Sequence, residues 1–484
     1  MKRRQIAVGF SALLVIILMA WVISCAVNPV TGKRELMLLS EADEISLGQQ
    51  TDQEIVQTYG VYEDAALNAY VNNLGQRIAA ITHRPNLPYT FKVLDTPVVN
   101  AFAVPGGYVY LTRGILAYMN NEAELAGVIG HELGHVNMRH SAQQYTQQSL
   151  ASLGLGVGLI LSEKMRQYSD LAQFGVQMLF LSFSRADERE ADDLGVDYSL
   201  KSGYDSNGMA SFFVTLERMN PASGGASLPE WFSTHPNPDN RIQAVIDRTA
   251  KKKKEMAGTN FAINESEYLA KLNGLIFGDD PRQGYVDGNA FYHPTMKFSF
   301  PVPSGWTVNN TPAQVQMISN QQDAVIIFGL SGGTNSAEAA RAFVSESGVT
   351  VKQLDAVSIN SLTAHRLVAS LQNESQALGF QSFFIEKDNN IYVFHGYTTE
   401  PQFSGYQTTF ERTMRSFTTL TDANRINVSP TKLIVKKTQR TGTARTVLQS
   451  LGVAQADLES AALMNGLTLD QQVPVGRMIK VTSK

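Results

Sequence analysis

Apolar and polar positions divide the chain into stretches of different period. Residues 6–23 are apolar except for Gly9 and Ser11. From Asn121 onward, Leu125, Val128, Ile129, Leu133 and Val136 recur at helical spacing and form one apolar stripe. Glu124, three residues after Asn121, completes a helix-start signal. Leu150 to Leu161 is apolar and glycine-rich, but about 12 residues are too few to span a bilayer, so it reads as a buried or site-covering helix. The charged stretch from Phe183 to Gly195 predicts another helix, ended by Gly195 and Gly203. Past residue 285 the pattern changes. Strand-like runs at Met296 to Val302, Val325 to Leu330, Phe380 to Glu386 and Asn390 to Tyr397 alternate with helical patterns at Ala337 to Ser347 and Tyr406 to Ser416. Residues 430–484 place two short helices between strands. The expectation is an α+β multidomain chain: a mainly helical domain with a small sheet, a smaller α+β domain, then a βααβ module.

At roughly 150 residues per domain, 484 residues suggest about three domains. The expected boundaries are a leader over 1–24, a domain over 25–250, a linker over 251–285, a domain over 286–422 and a module over 428–484. The net charge is -4, and it becomes -7 if the leader is removed, since Lys2, Arg3 and Arg4 leave with it and no acid does. That balance favours no nucleic-acid partner, and the run Lys251 to Lys254 reads as a solvated linker. One cysteine, Cys25, excludes an internal disulfide.

The three basic residues, the apolar run and the small Ser24 make a secretory signal. Cys25 directly after Ser24 resembles the bacterial lipobox, which implies cleavage before Cys25 and lipid on it. Ala26 is not the Asp that keeps lipoproteins at the inner membrane, so the resemblance implies the inner face of the outer membrane. An uncleaved anchor helix is the other reading, since about 18 apolar residues nearly span a bilayer. Both put the body of the protein in the periplasm.

His131 and His135 are four residues apart and project from one helix face. That spacing suits two imidazoles on one zinc ion, with bonds of roughly 2.0–2.1 Å. Glu132, rotated by about 100°, is poorly placed as a third ligand but can reach a water held there as general base. Gly127, Gly130 and Gly134 each cost about 1 kcal/mol relative to alanine in a helix, so the helix needs a packing reason for them. A catalytic zinc needs a third protein ligand and an open position. Glu188 and Asp192 share a helix face in the stretch Ser184 to Asp193, which on composition alone also reads as a charged, solvated helix.

His131-Glu132-Leu133-Gly134-His135, then Arg139-His140 and Ser184-Arg185-Ala186-Asp187-Glu188-Arg189-Glu190-Ala191-Asp192, resembles the zinc metallopeptidase family that includes HtpX, the CAAX prenyl endopeptidases and the BepA-like proteins. The stretch Asn28 to Arg34 is similar to the segment after the lipid cysteine in secreted members. The resemblance covers residues 28 to about 250. It implies one zinc per chain held by His131, His135 and Glu188, with Asp192 orienting a ligand histidine. Thr234-His235-Pro236 with Arg241-Ile242 resembles a further motif of that family. It implies that His235 sits near the zinc, donating to the oxyanion or blocking the open site at rest; a capping histidine in a proline turn is the plain alternative. Ala103, Gly106, Gly107 and Tyr108 lie where a turn leads into a strand that could pair with an extended substrate, or be an ordinary internal strand.

Phe298 to Trp306 is similar to the opening of small PsbP-like domains, and His293, His365 and His395 there are scattered. Leu433 to Val435, Leu463 to Leu467 and Val475 to Val481 resemble a degenerate LysM module, whose relatives bind peptidoglycan. Arg440-Thr441-Gly442-Thr443 stands where the usual Gly-Asp-Thr would be, so a protein-contact role is equally open. The function expected is a lipid-anchored periplasmic zinc endopeptidase acting on misfolded or unassembled envelope proteins. An assembly chaperone or scaffold with a latent zinc site is the runner-up, and Glu132 favours the enzyme because a scaffold needs no base. A cell-wall binding protein led by the C-terminal module is the third reading.

Overall fold

The computed structural model describes residues 25–154, 182–220, 229–237, 240–347, 349–372 and 377–483. The leader and residues 155–161 of the glycine-rich stretch lie outside them. No helix among the described residues is long and apolar enough to cross a membrane. The chain forms two compact units.

The first unit holds residues 25–56, Gly60–Gly278 and residues from Lys432 onward. Its elements begin with a hairpin, β1 (Cys25–Val27) and β2 (Arg34–Leu36), followed by α1 (Glu41–Tyr59) and α2 (Ala65–Ala79). Next come β3 (Thr90–Leu94), β4 (Ala101–Val104), β5 (Tyr108–Thr112), α3 (Arg113–Tyr118), α4 (Glu122–Met138) and α5 (His140–Gly154). Then α6 (Arg185–Lys201), α7 (Asn207–Met219), α8 (Trp231–Thr234), α9 (Arg241–Glu255) and α10 (Glu265–Leu272) follow. The three-stranded sheet has the order β3-β5-β4, with β3 parallel and β4 antiparallel to β5. The sheet packs with α2, α4, α6, α7 and α10 around one apolar core that includes Val71, Leu111, Ile129, Leu133, Phe212 and Leu272.

Gly195 does not end the helix that carries Glu188: α6 runs through it to Lys201, because a Cβ there would stand 3.1 Å from the His131 nitrogen, and only glycine lets α6 approach α4 so closely. Lys251 to Lys254 lie inside the last turns of α9, where cations meet the negative end of the helix dipole.

The second unit, mainly Asp279–Thr431, is antiparallel. Its strands are β6 (Tyr285–Asp287), β7 (Ala290–His293), β8 (Phe298–Pro301), β9 (Thr307–Asn310), β10 (Gln314–Ile318), β11 (Ala324–Ser331), β12 (Thr350–Ile359), β13 (Leu362–Gln372), β14 (Ala377–Lys387), β15 (Asn390–Thr399) and β16 (Thr418–Thr419). Seven of them make a sheet of order β12-β13-β14-β15-β11-β10-β9. Helix α11 (Ser336–Ser347) covers one face through Ala339, Ala340 and Phe343, and α12 (Phe403–Arg415) covers the other through Phe410 and Met414.

The chain then returns to the first unit with β17 (Leu433–Lys437), β18 (Gly442–Thr443), α13 (Ala444–Ser450), α14 (Leu458–Met464), β19 (Gln472–Val473) and β20 (Met478–Thr482). β17 and β20 pair antiparallel, giving the βααβ order.

Candidate metal centre

Helix α4 starts where its capping signal says. The Asn121 side chain accepts the Glu124 amide at 2.9 Å, and Glu124 accepts the Asn120 amide at 2.8 Å. Every residue of α4 is buried, which answers the question its glycines raise. A Cβ at Gly127 would meet Met209 at 2.7 Å, one at Gly130 the Gly195 oxygen at 3.0 Å, and one at Gly134 Ala191 at 2.9 Å. The glycines let α6 and α7 lie directly against the helix that carries both histidines.

That contact delivers Glu188. Ser184 caps α6 in a reciprocal capping box with Asp187, which sets the helix phase and turns Glu188 and Asp192 toward α4. Nε2 of His131 and Nε2 of His135 are 3.1 Å apart. Glu188 Oε1 lies 3.4 Å from His135 Nε2, and Oε2 lies 3.6 Å from His131 Nε2. His235 joins them, with Nδ1 2.9 Å from Glu188 Oε1 and 3.3 Å from His131 Nε2. The four groups are buried, and their ligand atoms lie within 4.8 Å of one another.

Around this cluster a second layer fixes the ring protons. Asp192 accepts from His131 Nδ1 at 2.9 Å, so the Nε2 of a neutral His131 ring is bare toward the cluster. Arg241 donates to both oxygens of Asp192, at 2.8 and 2.7 Å, and lies over the Phe213 ring at 3.9 Å. His135 Nδ1 lies 2.9 Å from His140 Nδ1, and His140 Nε2 lies 3.3 Å from Glu190. Phe183 stacks on His135 at 4.0 Å, and Trp231 stacks on His235 at 4.2 Å.

The donor set fits zinc. Bonds of roughly 2.0–2.1 Å around a tetrahedral ion put neighbouring ligand atoms about 3.3 Å apart, which is the spacing found here. Bare nitrogens and carboxylate oxygens facing one another in a buried site repel unless a cation lies between them. His235 Nε2 and both Glu132 oxygens are buried without a hydrogen-bond partner, the two residues standing 3.6 Å apart, whereas Glu188 Oε2 has Arg241 Nη2 at 3.2 Å. Electrostatics agree with this picture. Burial pushes the Glu132 carboxyl up, against the pull of His235 and His131. Burial would also raise Glu188, but His235, His135 and Arg241 outweigh it and hold that carboxyl well below its usual range. Burial drives His135 well below the ordinary imidazole value, whereas Glu188 and Glu132 overcome burial at His235 and raise it.

His131, Glu132, His135, Glu188, Asp192, His235 and Arg241 therefore come together. The substrate-edge expectation is corrected in part. Tyr108 opens the central strand, paired on both sides, so it cannot be an edge. Gly106 and Gly107 form a tight turn at positive φ of 79° and 96°. The sheet's edges are β3 and β4, and of the four residues named for the edge only Ala103 lies on one of them, β4. A small hollow between β4 and α4 is lined by Ala103, Val104, Pro105, His135, Val136 and Ala142, among others. Cys25 opens β1, opposite Leu36 and away from this cluster in sequence. Trp231 and His140 also line the site, although neither has a role assigned to it by the sequence motifs. His140 follows the second histidine by five residues and belongs to the motif itself, whereas Trp231, four residues before His235, has no ligand chemistry to mark it.

Residues 65–249 match the model of peptidase family M48. The chain is 31% identical over 252 residues to the Beta-barrel assembly-enhancing protease of Yersinia pestis, covering 50% of each chain. It is 32% identical over 227 residues to the Mitochondrial metalloendopeptidase OMA1 of Schizosaccharomyces pombe, covering 45% of this chain and 64% of that one. The chain thus spans about half the length of the first of these relatives and less than two thirds of the second. Cyanobacterial PsbP from Synechocystis aligns with 28% of the chain at 12% identity and a TM-score of 0.24.

Proposed function

With residues 65–249 belonging to peptidase family M48, whose members are zinc-dependent metallopeptidases, we propose that the whole chain is a zinc endopeptidase of the bacterial periplasm that cuts misfolded or unassembled envelope proteins. The observation that carries this reading is the convergence of His131, His135 and Glu188 beside a buried Glu132 whose carboxylate makes no hydrogen bond. Those three residues would hold the ion. When bound, zinc supplies Lewis acidity, which polarises a peptide carbonyl and acidifies water. Glu132 takes the proton of the attacking water on a carboxylate oxygen and passes it to the leaving amine. Its raised pKa brings it nearer the working pH, which suits a group that must both accept and release a proton. Arg241 and Asp192 keep the His131 ring in the tautomer that presents Nε2. An extended substrate would add a strand to the free edge of β4, beside Ala103.

The envelope assignment is supported by the signal and lipobox pattern ending at Cys25, and by the printed name of the Yersinia relative. On it, Cys25 carries lipid at the inner face of the outer membrane, and the βααβ module is LysM-like with peptidoglycan as a candidate partner. One observation favours the runner-up, a chaperone or scaffold whose zinc site is latent. His235 stands within the ligand cluster, 3.3 Å from His131 Nε2 and 2.9 Å from Glu188 Oε1, where it would compete with water for the ion's fourth position.

Casein cleavage by the zinc-loaded chain separates the readings. The wild type should cleave and lose activity to a chelator, while Glu132→Gln should keep its zinc and fall by at least about 100-fold. His235→Ala should cleave faster than wild type if His235 blocks the site, and slower if it serves the oxyanion. Normal turnover by Glu132→Gln removes Glu132 from the mechanism.

A further inference from the structure

The C-terminal module belongs physically to the same unit as the metal helix. Its own small core of Val447, Leu448, Leu458, Ala462 and Val481 accounts for how it holds together. It does not account for Lys480. This lysine lies on β20, is 0% exposed, and points its ammonium out of the module. Nζ donates to the carbonyl of Ala117 at 2.7 Å and to that of Met119 at 2.6 Å. Those carbonyls end α3, and the next two residues start α4: Asn120 donates its amide to Glu124, and Asn121 caps the helix. Hydrogen bonds on either side of the Met119–Asn120 peptide therefore link β20 to the first turn of the helix that presents His131 two turns later.

A second grip reaches the other side of the site. Arg218 of α7 donates to the Leu467 carbonyl at 2.7 Å. The same helix carries Phe213, which lies under the Arg241 guanidinium, and Met209, which packs into the gap left by Gly127. Gly466 has φ +63°, and a Cβ there would stand 3.2 Å from the Asn120 side chain. Met464 and Leu433 enter the main apolar core itself. Leu433 also exchanges backbone hydrogen bonds with Gly274 and Leu275. Burial holds the Lys480 ammonium below and the Glu124 carboxyl above their ordinary values, and each charge draws the other back toward its ionised form across this contact.

We propose that the partner of the C-terminal module is the chain's own metal-binding domain. The module is a built-in clasp, with Lys480 as a positioning residue that fixes the start of the metal helix through Ala117, Met119 and the Asn120–Glu124 cap. The clasp needs the peptidase reading only for what that helix goes on to do. Removing the ammonium leaves two buried carbonyls unpaired and frees the first turn of α4, and with it the phase at which His131 is offered.

The test uses the full chain and two variants, Lys480→Met and Arg218→Met, with Lys480→Arg as the conservative control. Zinc affinity is read by competition with a chromophoric chelator, and amide exchange by mass spectrometry over residues 113–138. Lys480→Met should weaken zinc binding about tenfold, the low end of the effect of removing a group that supports a metal site. Exchange should speed up at the start of α4 at temperatures well below unfolding, and Lys480→Arg should restore part of both. If Lys480→Met does not fold, Arg218→Met should give the same two changes at smaller size. Wild-type zinc affinity and wild-type exchange in a folded Lys480→Met chain would overturn the clasp. A chain that never cleaves peptide but still shows the coupling would sink the peptidase reading and leave the clasp standing.

Discussion

Arg241 donates two hydrogen bonds to Asp192, and Asp192 accepts from Nδ1 of His131. At this scale the chemistry depends on which nitrogen carries the proton. With Asp192 replaced by Asn, the amide can offer an N–H to His131 Nδ1 and stabilise the opposite tautomer. Asp192→Asn should therefore weaken zinc binding by about 10- to 100-fold with little change in fold, measured by metal competition beside circular dichroism. An unchanged affinity would mean that His131 does not need its carboxylate. The pair His131 and His135 was legible because one helix turn fixes their relation locally. Trp231 was not, although it stands one turn before His235 and stacks on it, because an indole carries no metal-ligating or proton-transfer chemistry to mark it.

Among elements, α4 works because two neighbours approach it at glycine. A methyl at residue 134 would stand 2.9 Å from the backbone of Ala191, on the helix that brings Glu188. Gly134→Ala should gain helix propensity and still lose about 1–3 kcal/mol of stability, since backbone rather than a flexible side chain must move. The urea midpoint of the zinc-free chain measures this, and a midpoint that rises would show that the helices have room to spare. The Asn121–Glu124 start signal and the helical stripe of α4 were readable because they depend on spacing along the chain. The edge strand was misplaced because pairing is decided by partners distant in sequence. Ala101 to Val104 is short and runs into Pro105 and two glycines, so it resembles a turn until β5 pairs with it. The end assigned to Gly195 failed for a related reason: Gly195 keeps a helical backbone and serves the contact with α4, whereas Gly203, at φ 86°, sits just past the true end.

For the whole molecule, the two units answer to different influences. The second unit has no metal cluster among its described residues, but it buries histidines. Burial lowers His293 from 6.5 to about 4 and His395 from 6.5 to about 4. Both rings stay neutral in the fold while the unfolded chain protonates them, so the unfolded state binds more protons between those values. Their contribution is complete above pH 6.5 and is lost as pH falls toward 4, by at most about 1.4 kcal/mol per pH unit for each ring. Urea unfolding followed through the 19F signal of fluorotryptophan at Trp306, which packs against the core of this unit, should show a lower midpoint at pH 5 than at pH 7. A midpoint that holds steady would exclude these histidines from the unit's acid sensitivity. The α+β pattern of this unit was visible in its strand periods, whereas its sheet order was not, because β11 pairs with β15 across some sixty residues of intervening chain.

The zinc content of the purified chain bears most directly on all of this. Inductively coupled plasma mass spectrometry after dialysis should find about one zinc per wild-type chain, as one tetrahedral site requires, and almost none in Glu188→Ala. A wild-type chain without zinc, or a Glu188→Ala chain that keeps its full complement, would contradict the convergence of His131, His135 and Glu188 on one ion.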